Sequence, residues 1–119
     1  MMKAYALGLY EKAMPSTLSW KEKLEAAKEA GYDYVELSID DSEEKIGRLD
    51  MPKKERLALV ETMYEAGIPI RTMCVSALTR YSMGNDKPDY VEKGMEILEK
   101  SIRFADDIGV RVVMIPGYD

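Results

Sequence analysis

At 119 residues, with 46% hydrophobic and 33% charged residues, the chain has the size and composition of one soluble globular domain, and no apolar run approaches the roughly 20 residues of a membrane span. A net charge of -5 argues against a nucleic-acid partner, because phosphate binding needs a concentrated basic field. The absence of histidine removes Ser-His-Asp and Cys-His chemistry and histidine metal ligation; the lone Cys74 has no intrachain disulfide partner, and the start lacks a secretory signal, so a cytoplasmic location is expected.

In chain order, the first strand is expected over 3–9, where Tyr5, Leu7 and Leu9 alternate with Ala4, Ala6 and Gly8. The first helix is expected over 20–30, since Ser19 and Glu22 have the spacing of a capping box and Trp20, Leu24 and Ala27 share a face. Gly31 supplies a left-handed cap, and 34–39 follows as a β-rich strand. A second helix over 52–66 is expected to take Asp50 as its cap and to end at Gly67, before a strand over 70–75. The third helix, 88–108, carries an apolar stripe of Val91, Met95, Leu98, Ile102 and Ala105; it ends at Gly109 and leads to a strand over 111–115.

Gly31, Gly67 and Gly109 thus close three helices at a spacing of roughly 36 to 42 residues, the period of stacked βα units on a parallel sheet. The fold class is α/β, with four parallel strands and three helices in βαβαβαβ order within one domain. The chain is about half the roughly 250 residues of a closed βα barrel. Helix-to-strand connections are short, whereas the strand-to-helix connections Tyr10 to Ser19, Asp40 to Met51 and Ser76 to Lys87 are long. In parallel βα folds, ligands bind at the long loops, beyond the carboxyl ends of the strands.

Alternation splits the second strand into Val35, Leu37 and Ile39 against Tyr34, Glu36 and Ser38. The third splits into Met73 and Val75 against Thr72, Cys74 and Ser76. The polar set would face the lumen of a barrel, where Glu36 needs a partner, a ligand or water. The plainer readings stand beside this: Glu36 in a salt bridge or solvent, Cys74 as a small packing residue, Thr72 and Ser76 as ordinary strand residues, Arg80 at the surface, and the charges Glu11, Lys12, Asp40 and Asp41 as solvated loop residues. No glycine-rich phosphate loop is present, and the methionines read as core filler.

Several runs resemble the L-ribulose-5-phosphate (L-xylulose-5-phosphate) 3-epimerases, also known as putative hexulose-6-phosphate isomerases, of the xylose-isomerase-like TIM barrel superfamily. They are 7–13 (LGLYEKA), 33–40 (DYVELSID), 48–50 (RLD), 56–60 (RLALV), 73–77 (MCVSA) and 117–119 (GYD). The resemblance runs in order along the chain and implies the amino-terminal half of a (β/α)8 barrel. It implies an isomerase that removes and returns the proton beside a ketose carbonyl, with a divalent metal and two carboxylates. The family's metal ligands come from strands five to eight, so no metal or other cofactor is expected on this chain and no catalytic residue is assigned to it. The resemblance places Tyr10, Glu36, Cys74, Ser76 and Tyr118 on the substrate-binding wall. The isolated chain is expected to be inactive. Two alternatives are a half-barrel that self-associates as a homodimer through its open sheet edges, and a module that binds a sugar phosphate without turnover. Neither nucleic acid nor membrane is an expected partner.

Overall fold

The computed structural model describes residues 4–117. Four parallel strands, β1 (Gly8–Tyr10), β2 (Tyr34–Ser38), β3 (Ile70–Cys74) and β4 (Val112–Met114), lie side by side in sequence order. The helices are α1 (Trp20–Glu29), α2 (Glu43–Gly47), α3 (Lys53–Ala66), α4 (Ala77–Arg80) and α5 (Pro88–Ile108). Short 3-10 turns occupy Glu11–Ala13 and Arg48–Asp50. The major elements are the expected ones. The long connections, however, are not open loops, because α2, α4 and both 3-10 turns fold within them.

The helix ends follow local chemistry. Ser19 accepts from the Glu22 amide at 3.2 Å while its own amide donates to the Glu22 carboxylate at 2.9 Å, the reciprocal capping box. Gly67 and Gly109 close α3 and α5 at φ of 74° and 80°, where a Cβ would be strained. The expected Asp50 cap does not form. Pro52 stands at the amino end of α3 without a side-chain cap, and Asp50 instead accepts from the Lys100 ammonium at 2.8 Å, bridging to α5.

β1 begins at Gly8, later than expected, where the ladder with β2 starts at Tyr34; just before it the Leu7 carbonyl accepts from the Asp33 amide and the Leu7 amide donates to the Asp33 carboxylate, each at 2.7 Å. Tyr5 and Leu7 are exposed rather than alternating into the core, and Lys3 lies outside the described residues. Between β2 and β3 the register slips at Val35/Glu36, making Arg71 an extra residue. Ile70 and Met73 consequently face the same buried side, and the Arg71 guanidinium lies 5.5 Å from the Tyr34 ring.

The core forms on one face of the sheet. Val35, Leu37, Ile39, Ile70, Met73 and Val75 pack with Leu24 and Ala27 of α1, Leu59 and Met63 of α3, and Ile97, Phe104 and Ile108 of α5. The predicted α5 stripe is displaced by one face. The buried row is Gly94, Ile97, Ser101, Phe104, Ala105 and Ile108, while Met95 and Ile102 are more than half exposed. The two rows are neighbours around the helix axis, so α5 is apolar over a wide arc of which the sheet and α3 cover only part.

Candidate functional site

On the other face of the sheet, register aligns Tyr10, Glu36, Thr72 and Val112 in one row and Ser38, Cys74 and Met114 in the next. These rows alternate with the core-facing residues, so they share the open face. The Thr72 hydroxyl donates to Glu36 Oε2 at 2.8 Å, and the Tyr10 hydroxyl donates to Ser38 Oγ at 3.2 Å. The Cys74 thiol interacts with the Tyr10 hydroxyl, and the Lys12 charge acts on both groups. Three predicted residues, Tyr10, Glu36 and Cys74, therefore meet on one wall, together with Ser38 and Thr72. Ser76, half-buried at the amino end of α4, adjoins this wall through a backbone hydrogen bond to the Cys74 thiol, and Tyr118 lies outside the described residues.

Glu11 is the residue whose position the sequence conceals. Expected as a solvated loop charge, it is 1% exposed. Its Oε2 accepts from Lys23 at 2.6 Å, Lys45 at 3.0 Å and Arg48 Nη2 at 2.6 Å, and its Oε1 accepts from Arg48 Nη1 at 2.7 Å and the Ser38 amide at 2.9 Å. The Trp20 ring lies 4.8 Å from the Lys23 ammonium and 5.2 Å from the Arg48 guanidinium. One carboxylate thus ties together the turn after β1, helix α1, the end of β2 and the whole β2–α3 connection. Ser38 joins this hub to the open face: its hydroxyl accepts from Tyr10, while its backbone amide and carbonyl bind Glu11 and Arg48.

Burial alone would raise the Glu11 carboxyl, but Arg48, Lys23 and the Ser38 amide outweigh it and hold the group well below the usual carboxylate range. Glu11 is a permanent anion, unsuited to proton transfer near neutral pH. Burial raises both the Tyr10 phenol and the Cys74 thiol, so each stays protonated. Asp40 is held below its ordinary value: burial opposes this, but two hydrogen bonds from Ser42 and the Lys12 ammonium 3.1 Å away prevail. Arg80, half-exposed, stands 3.6 Å from Asp41 and 5.4 Å from the Tyr81 ring.

The wall therefore presents neutral hydroxyl and thiol donors beside one carboxylate, a set matched to the hydroxyls of a polar ligand. Among the described residues no three His, Cys, Asp or Glu side chains converge to hold a metal ion, so these residues do not fit one. A cavity of about 510 Å³ lies elsewhere, between the carboxyl ends of α3 and α5, lined by Val60, Met63, Ile68, Ile108, Asp106 and Asp107. No helix among the described residues is long and apolar enough to cross a membrane.

The family described as Xylose isomerase-like TIM barrel matches residues 24–119. The chain is 42% identical over its full 119 residues to the L-ribulose-5-phosphate 3-epimerase UlaE of Escherichia coli O157:H7, covering 42% of that protein. UlaE of Salmonella heidelberg (strain SL476) matches with the same identity and coverage. The chain spans less than half the length of these curated relatives. Among solved structures it is similar to the Escherichia coli 3-keto-D-glucoside 4-epimerase YcjR, with a TM-score of 0.68 and 20% identity over 92% of this chain and 37% of that one. It is also similar to a D-psicose 3-epimerase, with a TM-score of 0.72 and 12% identity over 92% of this chain and 36% of that one. At those identities the two structures speak to the fold, and they agree with the four-stranded parallel sheet described above. On the sequence match and this shared architecture together, the chain belongs to the xylose isomerase-like TIM barrel family.

Proposed function

We propose that this chain is the amino-terminal part of a sugar-phosphate 3-epimerase or isomerase acting on a ketose phosphate, L-ribulose 5-phosphate or L-xylulose 5-phosphate. Its open face forms the wall that binds the substrate hydroxyls. The observation that carries this reading is the joined row of Tyr10, Ser38, Glu36, Thr72 and Cys74, a polar face at the carboxyl ends of the strands, in a chain similar over its whole length to UlaE. Glu36 accepts from a sugar hydroxyl, and the Tyr10 oxygen, whose proton goes to Ser38, accepts from another, which fixes the orientation of the ketose while its C3 proton leaves one face and returns to the other. The divalent metal of this reading and the acid–base pair belong to residues outside this chain. No step on these side chains runs through a metal.

The test is a chimera in which the carboxy-terminal portion of UlaE follows residue 119. The chimera should epimerise L-ribulose 5-phosphate, and the isolated chain should not. Glu36→Gln and Tyr10→Phe should each raise KM about tenfold, the effect of losing one good substrate hydrogen bond. A folded chimera without activity, or turnover by the isolated chain, would overturn the reading.

A second reading is favoured by the sheet edges. Val112, Met114 and Ile115 on the β4 side, and Tyr5 and Leu7 before β1, are large apolar residues left exposed. Two copies pairing β4 with β1 would cover them in a closed eight-stranded arrangement. Light scattering decides between a dimer, which supports this, and a monomer at high concentration, which removes it. Calorimetric titration with pentulose phosphates tests the remaining alternative, binding without turnover.

A further inference from the structure

Tyr10 is tied to the Glu11 hub at two points. Its backbone runs straight into Glu11, and its hydroxyl donates to Ser38 Oγ at 3.2 Å. Ser38 is fully buried and is held through its main chain, since its amide donates to Glu11 Oε1 at 2.9 Å and its carbonyl accepts from Arg48 Nη1 at 3.0 Å. The Arg48 guanidinium also forks onto both Glu11 oxygens. Tyr10, Glu11, Arg48 and Ser38 therefore form a closed ring, with a phenol of the open face at one corner and a guanidinium at another. Among the described residues Arg48 hydrogen-bonds to Glu11 and Ser38 and not to Tyr10.

The strand itself gives Tyr10 little hold. β1 is three residues long, lies at the edge of the sheet and pairs with β2 alone among the described residues. The other neighbour of the phenol, the Cys74 thiol, is a weak hydrogen-bonding group. Ser38 therefore decides where the Tyr10 oxygen stands, and the fork decides where Ser38 stands. Charge alone does not supply this, because Lys23 and Lys45 already compensate Glu11. Arg48 adds a planar set of donors that reaches two carboxylate oxygens and a carbonyl at once, which an ammonium cannot match. We propose that Arg48 and Ser38 are positioning residues for the open face: the fork fixes the Ser38 backbone, and the Ser38 hydroxyl fixes the Tyr10 oxygen where a ligand hydroxyl meets it. The ligand rests on the substrate-wall reading of Tyr10, whereas the positioning is a property of the chain itself.

The experiment records NMR spectra of the 119-residue chain carrying tyrosine labelled with ¹³C at Cζ, with the Tyr10 line identified by its loss in Tyr10→Phe. That carbon responds to the hydrogen bond of its own hydroxyl. Arg48→Lys keeps the charge and breaks the fork, whereas Ser38→Ala keeps the backbone bonds and removes the hydroxyl. Both should move the Tyr10 line in the same direction, and Arg48→Lys should abolish the NOE between the Tyr10 ring and the Ser38 methylene. Because Arg48 acts through Ser38, the double variant should shift the line no further than Ser38→Ala alone. Lys45→Gln, which takes away a hub charge and leaves the fork, should leave the line in place. The lines of Tyr81 and Tyr90, whose rings pack 5.2 Å apart, should stay put in every variant, whereas a merely structural loosening moves them together with Tyr10. Melting curves establish that each variant is folded, and Ser38→Ala keeps the test decisive if Arg48→Lys does not fold. No ligand or turnover enters the measurement, so its failure is distinct from failure of the epimerase reading. A Tyr10 line unmoved in folded Arg48→Lys or Ser38→Ala, additive shifts in the double variant, or an equal shift in Lys45→Gln would overturn the proposal.

Discussion

The Arg48 guanidinium grips Glu11 with two parallel hydrogen bonds, Nη1 to Oε1 at 2.7 Å and Nη2 to Oε2 at 2.6 Å, and the same Nη1 reaches the Ser38 carbonyl at 3.0 Å. This fork fastens the 3-10 turn that precedes α3 to the turn that follows β1. Because the carboxylate is buried among cations, removing it leaves positive charges uncompensated. Glu11→Gln should lower stability by about 3 kcal/mol or more in urea denaturation. The double variant Glu11→Gln, Arg48→Met should lose less than the sum of the single variants, since the two residues act as one unit. A loss in Glu11→Gln below about 1 kcal/mol would mean that the cations relax freely into solvent.

The same hub sets an acid limit. The folded Glu11 carboxyl titrates below its ordinary value of 4.5, so the unfolded chain binds more protons in the interval between the folded and unfolded values. The Glu11 contribution is therefore complete at pH above 4.5 and is lost as pH falls from there toward the folded value. Asp40, also depressed, acts in the same direction with a reference value of 3.8. Denaturation across pH 2 to 6 should give a shallower acid slope in Glu11→Gln than in the parent chain. Equal slopes would remove Glu11 as the source.

Cys74 should be a slow thiol. Burial raises it above the ordinary value of 9.0, and the interaction with Tyr10 opposes that rise. Iodoacetamide alkylation should climb only as pH passes 9, and Tyr10→Phe should slow it further by removing the stabilising hydroxyl. Fast alkylation at neutral pH would contradict this environment.

Two positions in α5 give opposite predictions. The buried Ser101 hydroxyl has no hydrogen-bond partner among the described residues, so Ser101→Ala should raise stability by about 1 kcal/mol. Gly94 lies against the Tyr81 carbonyl with no room for a methyl group, so Gly94→Ala should lower stability by about 1–3 kcal/mol by pushing α4 away from α5. Melting curves of the two variants should shift in opposite directions.

Much of the fold is legible in the sequence because its signals are local. A capping box needs Ser19 and Glu22, a left-handed cap needs Gly67 or Gly109, and strand faces follow from alternation in 34–39. The Glu11 hub is not legible this way: its partners Lys23, Ser38, Lys45 and Arg48 are spread along the chain and meet only when β1 and β2 pair. In the sequence Glu11 is one charge among many in a loop. Asp50 misled because a cap and a cross-helix ion pair ask for the same residue type. The orientation of α5 was hidden for a related reason. Both of its apolar rows have helical spacing, and only Gly94, whose small size allows α4 to approach, marks the face that packs.

The wide apolar arc of α5 also governs how the chain behaves in solution. Met95 and Ile102 lie on the outer side of α5, whereas Val112 and Met114 lie on the open face of the sheet, so exposed apolar side chains occur on both sides of the sheet in a chain of net charge -5. Colloidal behaviour then follows from these two apolar patches rather than from the average charge. Lysine at 95 and 102 is the economical way to keep the chain dispersed, since both side chains can change without touching Phe104 or the polar wall.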